Sequence, residues 1–147
     1  MQPLDPRSVL LAKHAQHVVL VHFPIALFLT GVLFDLLSRG KKQSAFAIAA
    51  YFNLSVAALS ILPVLATGLL AWRIALEGQD LKGILLSHLL LACASSALIC
   101  LSWWIHRRER RSSSTLLPGY RLPLEAVGVC LVALTGHLGG FLTGVNM

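Results

Sequence analysis

Six histidines are the side chains here most able to do chemistry, and three of them, His22, His88 and His137, fall inside apolar runs. An ionisable group within a bilayer is costly to keep there, so its presence points first to a function. At 1.5 Å per residue, His22 lies roughly 6 Å inside the start of the first run and His88 roughly 6 Å inside the start of the third. His137 falls a similar distance short of the end of the fourth run. Successive runs alternate in direction, so the three imidazoles share one layer near one membrane face. Neutral imidazoles at matched depth on different helices can ligate a haem iron from both sides. The methionines are Met1 and Met147, so neither is placed to be an axial ligand inside a bundle. A bis-histidine b-type haem is the form this inventory allows. His22 and His88, from helices one and three, are the first ligand pair. His137 and His17 are the reserve pair, as alternative ligands or for a second haem. Arg73, beside Trp72, and Lys13 are placed to meet the propionates.

Other chemistry fits less well. Copper or zinc could use His17, His22, His88 and His137 without a porphyrin. No H-x-x-x-H spacing puts two ligands on one helical face, and the i,i+3 pair His14 and His17 lies near water. Each imidazole could instead simply bond a hydroxyl or carbonyl of a neighbouring helix. His106, beside an arginine cluster at the end of the third run, is expected to be interfacial and inert. Asp35 has Arg39 four residues on, and Glu125 has Arg121 four residues back, so each is expected to form a local pair. Cys93, Cys100 and Cys130 lie in apolar runs with no C-x-x-C or C-x-x-C-H pattern. They are expected to be buried structural thiols, and c-type haem attachment is excluded. With no nucleophile beside a base, no phosphate loop and no catalytic carboxylate pair, hydrolase and kinase chemistry are excluded.

The elements that must carry these residues follow from composition. The 147 residues are 56% apolar and 12% charged, against about 25% charged in a soluble domain. Apolar runs cover about 18–38, 45–73, 83–106 and 122–145, each long enough for a span of roughly 20 residues. One transmembrane domain of four helices therefore fills residues 1–147, an all-α bundle. A tilt, or a bend near Pro63, is expected in the long second run. Pro24 is expected to kink or open the first, freeing His22 from the regular helix direction. No signal-peptide pattern stands at the start, so the chain is expected to insert intact. The stretch 107–115 reads as a solvated linker.

The net charge is +6. Basic residues flank the apolar runs, which suits headgroups and topology control rather than nucleic acid. Loop 1–2 carries Arg39, Lys41 and Lys42, and loop 3–4 carries five arginines against Glu109. Both belong in the cytoplasm by the positive-inside rule. That puts both termini on the outer, periplasmic side of a bacterial inner membrane. Gly136, Gly140 and Gly144 recur every four residues and would let another helix approach closely.

The segment 17–27, with His17, His22, Phe23 and Pro24, resembles the opening of a prokaryotic four-span family of predicted membrane proteins of unknown function, DUF2231. The similarity continues through Asp35, the segment Thr67 to Trp72, His88 and the Gly136-His-Leu-Gly-Gly140 element. His17, His22 and His88 match the family pattern. The chain departs from it at His137, where the family often has tryptophan, and near residues 143–145, where a further histidine is common. Related domains occur with c-type cytochrome and iron–sulfur modules, so the resemblance implies membrane redox work.

The expectation is therefore a multi-pass electron-transfer subunit of a respiratory or other redox complex. It would hold haem b, one or two, near its periplasmic face. Its partners would be other membrane redox subunits, with cytochrome c or a quinone. An electron carrier fits better than a stand-alone enzyme. The competing expectation is a cofactor-free accessory subunit of a larger membrane complex. A transporter is weaker, since no pair of broken helices stands out.

Overall fold

The computed structural model describes residues 15–142. Four helices follow one another: α1 (Ala15–Ser38), α2 (Ala45–Leu70), α3 (Gly83–Arg110) and α4 (Arg121–Leu142). All four are long and apolar enough to cross a membrane. At 1.5 Å per residue the shortest, with 22 residues, reaches roughly 33 Å, enough for a hydrocarbon layer about 30 Å thick.

Local chemistry sets the ends. The Ser38 hydroxyl donates to Asp35 O at 2.6 Å and accepts from Gly40 N–H at 3.1 Å. Arg39 and Gly40 then take positive φ (51° and 74°), which ends α1 and reverses the chain. Ser44 caps α2 by accepting from Ala47 N–H at 3.1 Å. At its far end α2 runs into a π turn, Ala71–Ala75. Both prolines lie within unbroken helix, Pro24 in α1 and Pro63 in α2. The opening expected at Pro24 therefore does not occur.

The two connections 39–44 and 111–120 lie together at what we call the basic end. The stretch 107–115 is solvent-exposed apart from half-buried Glu109, but it is not unstructured. α3 continues through the arginines to Arg110. Lys42 N–H then donates to Thr115 O (3.1 Å) and Leu117 N–H to Gly40 O (2.7 Å), forming an antiparallel bridge between Lys41 and Leu116. Lys42 adds a bond from Nζ to Glu109 O.

α1 packs chiefly on α2 and α3 on α4. The two pairs join mainly through α2 and α3, with a thinner α1–α4 contact. Phe28, Leu54, Ala57, Ile61, Ile99 and Val132 form the core. Glycines permit the approach: a Cβ on Gly31 would stand 3.1 Å from Leu54, and one on Gly128 only 2.8 Å from Phe28.

Burial is lopsided. Among the described residues, most of the core and of the buried polar side chains lie towards the basic end, with Ser95 and Thr135 near mid-helix. Towards the terminal end (16–27, 62–74, 83–94 and 136–142), Pro24 is the single buried residue among those described. The helices there cover one another incompletely. Cys93, Cys100 and Cys130 are all exposed free thiols on helix surfaces, not the buried ones expected. Apolar neighbours in sequence mark a membrane span and do not say which helix face a residue occupies.

Candidate functional site

The predicted histidines sit in this loosely packed terminal half, divided over two helix pairs. On α1, His17 reaches α2: its Nδ1 lies 3.2 Å from the Thr67 hydroxyl, and its ring packs where a Cβ on Gly68 would stand, 3.0 Å from Cε1. The Thr67 hydroxyl itself donates to Pro63 O at 2.8 Å. His88, half-buried on α3, reaches α4, with Nδ1 3.1 Å from Thr135 O and Cε1 3.3 Å from a Cβ placed on Gly139. His22 is exposed and bonds within its own helix, Nδ1 to Val18 O at 2.6 Å. His137 is exposed and meets Phe141 edge-on at 4.9 Å. Arg73 is exposed in the π turn. Lys13 and His14 lie outside the described residues, as do Met1, Gly144 and Met147.

Two of these contacts fix a tautomer. A carbonyl oxygen can only accept, so Nδ1 carries the proton in both His22 and His88. In the neutral ring Nε2 then bears the lone pair. Metal-ligating histidines are usually oriented in this way, by a hydrogen bond from the ring nitrogen that does not ligate.

A second constellation lies at the basic end, where sequence reasoning expected local pairs. Asp35 does not pair with Arg39. The latter leaves the helix at positive φ, and Asp35 Oδ2 instead accepts from Arg121 Nε of α4 at 2.5 Å. Arg121 also donates to Pro118 O at 3.0 Å. Glu125 does not pair with Arg121 either, because its Oε1 lies 3.1 Å from His106 Nε2. His106 is not a solvated bystander: it is 1% exposed, with Nε2 3.9 Å from Asp35 Oδ1. Asp35, His106, Arg121 and Glu125 thus come from three helices and are all buried.

Three atoms of this region have no hydrogen-bond partner: Asp35 Oδ1, Glu125 Oε2 and the Ser102 hydroxyl, one turn before His106. A buried polar atom left unpaired costs about 1–3 kcal/mol, more if charged. The signal that could have located the cluster is depth. Asp35, His106 and Glu125 each lie three or four residues from the basic end of their helices, a shared level roughly 5–6 Å in.

Fold and site define a four-span integral membrane protein with histidines towards one face and a buried ionic centre towards the other. The chain belongs to the predicted membrane protein family DUF2231, whose family model matches residues 13–145. No curated protein matches it, and no solved structure does.

Proposed function

We propose that the chain is a bacterial inner-membrane electron-transfer protein, a subunit of a respiratory or other redox complex. It would hold b-type haem between helix pairs near the periplasmic face, with the basic end in the cytoplasm. The observation that carries this reading is the tethering of Nδ1 to a carbonyl in both His22 and His88. It presents two Nε2 lone pairs from different helices in the half of the bundle where packing is incomplete. The protein would supply a dry slot, fix the ligand orientation and so tune the potential. His17 and His137 remain the reserve ligands. Arg73 at the same end would serve a propionate. Electrons would pass between a cytochrome c or quinone and a membrane partner.

A reduced-minus-oxidised spectrum of protein expressed with ample haem tests it. The expected result is a b-type α band, lost in both His22→Ala and His88→Ala. A featureless spectrum from folded protein sinks the haem reading. One observation favours the second reading, a cofactor-free accessory subunit: a Cβ on Gly136 would meet nothing within 4 Å. That leaves the surface of α4 at Gly136 open to another chain's helix.

A further inference from the structure

We infer that the buried centre at the basic end is a binding site for one divalent first-row metal ion, held by Asp35, His106 and Glu125. This site is separate from any haem and does not depend on one.

The argument begins with charge. Two carboxylates and one guanidinium leave a net charge of −1 when His106 is neutral. All four side chains are at most 4% exposed. An excess charge with so little access to water calls for a cation. A proton is the simplest cation, but one proton joins only two atoms. With both carboxylates ionised, His106 Nε2 already donates its hydrogen to Glu125 Oε1, and the oxygens left without partners are Asp35 Oδ1 and Glu125 Oε2. A proton shared between those two is the rival occupant, which the infrared measurement below separates from a metal. A metal ion engages lone pairs from all three side chains together.

Geometry agrees. One ligand atom from each of Asp35, His106 and Glu125 can be chosen so that all three lie within 4.8 Å of one another. Ligands about 2.05 Å from a tetrahedral ion stand roughly 3.3 Å apart. The two separations from His106 Nε2, 3.1 Å to Glu125 and 3.9 Å to Asp35, bracket that value. Arg121 is a positioning residue. It occupies Asp35 Oδ2 and leaves Oδ1 for the ion, the outer-shell role that orients metal carboxylates. One imidazole and two carboxylates, with no thiolate, suit zinc, iron(II) or manganese(II). The ligands come from α1, α3 and α4, so the ion would tie together helix pairs that otherwise meet thinly along α1 and α4.

The test uses the full chain in detergent, stripped with a chelator and titrated with Zn²⁺, then with Co²⁺ as a visible probe. The expected result is one equivalent per chain, with Co²⁺ d–d bands and no thiolate charge-transfer band. Affinity should fall at least 100-fold in Asp35→Asn, His106→Gln and Glu125→Gln. It should fall about 10- to 100-fold in Arg121→Lys and stay unchanged in Glu77→Gln, an exposed carboxylate at the other end of the bundle. Elution volume and melting curve report whether each variant folds, and the wild-type titration stands without any variant. Folded wild-type protein that takes up neither ion at millimolar concentration overturns the proposal. So does uptake that all three ligand substitutions leave intact. A protonated-carboxyl infrared band that is lost in Glu125→Gln and indifferent to added metal also overturns it, because a proton would then fill the gap.

Discussion

Replacing Arg121 by methionine keeps most of the side-chain length and removes the cation facing Asp35. The pair is secluded, with Asp35 at 0% and Arg121 at 4% exposure, and their contact is 2.5 Å. Breaking a buried pair from one side costs about 3–5 kcal/mol, because the remaining charge has no counterpart. Pro118 O also loses its donor at 3.0 Å, worth about 1 kcal/mol. Arg121→Met should therefore destabilise by about 4–6 kcal/mol. Asp35→Leu should cost about 3–5 kcal/mol for the same reason seen from the other side. The double variant removes both charges and leaves neither stranded, so it should cost less than the sum by at least about 2 kcal/mol. SDS-driven unfolding, followed by tryptophan fluorescence with chelator present, measures the cycle; Trp103 packs against the core. Single-variant losses that simply add, within about 0.5 kcal/mol, would refute the claim that these side chains share one buried contact.

Gly128→Ala puts a methyl 2.8 Å from Phe28 Cζ and should cost about 1–3 kcal/mol. Adding Phe28→Leu should return part of that loss in the same unfolding assay, and no recovery would place the strain elsewhere. Cys93, Cys100 and Cys130 are exposed, so a lipophilic maleimide should label all three in folded protein by mass spectrometry. A thiol that reacts only after unfolding would contradict the helix rotation described here. Alkaline phosphatase inserted after Ser113 should be inactive and green fluorescent protein there fluorescent, as the proposed orientation requires; the opposite pattern would invert it.

Four spans are legible in composition because a bilayer tolerates few alternatives. A backbone in hydrocarbon must satisfy its own hydrogen bonds, so long uncharged runs are helices. Rotation about each helix axis is another matter. In a soluble protein an apolar stripe reveals the inward face, but here lipid and core are equally apolar. That is why the cysteine environments are not legible in the sequence and why nothing in the run 45–73 distinguishes Leu54, fully buried, from Leu59 at 66% exposure. The prolines show a related limit. Pro24 and Pro63 remove backbone donors without ending their helices.

The ionic centre was missed for a more specific reason. Arg39 and Arg121 each stand one turn from a carboxylate, and nearest-neighbour pairing within a helix is the cheapest reading of such spacing. It fails where the helix itself stops. Ser38 closes the last turn of α1 and Gly40 reverses the chain, which carries Arg39 away. Arg121 begins α4 and is free to reach across to α1. Matched depth was the better guide. Applied to histidines it selects the terminal layer, and applied to every ionisable residue it selects Asp35, His106 and Glu125 as well. The two layers also differ in kind. The terminal one has tethered imidazoles in incomplete packing, while the basic one has tightly buried charges with unpaired lone pairs. A porphyrin needs room and a single ion does not, which is why the haem is proposed for the terminal layer and the ion for the basic one.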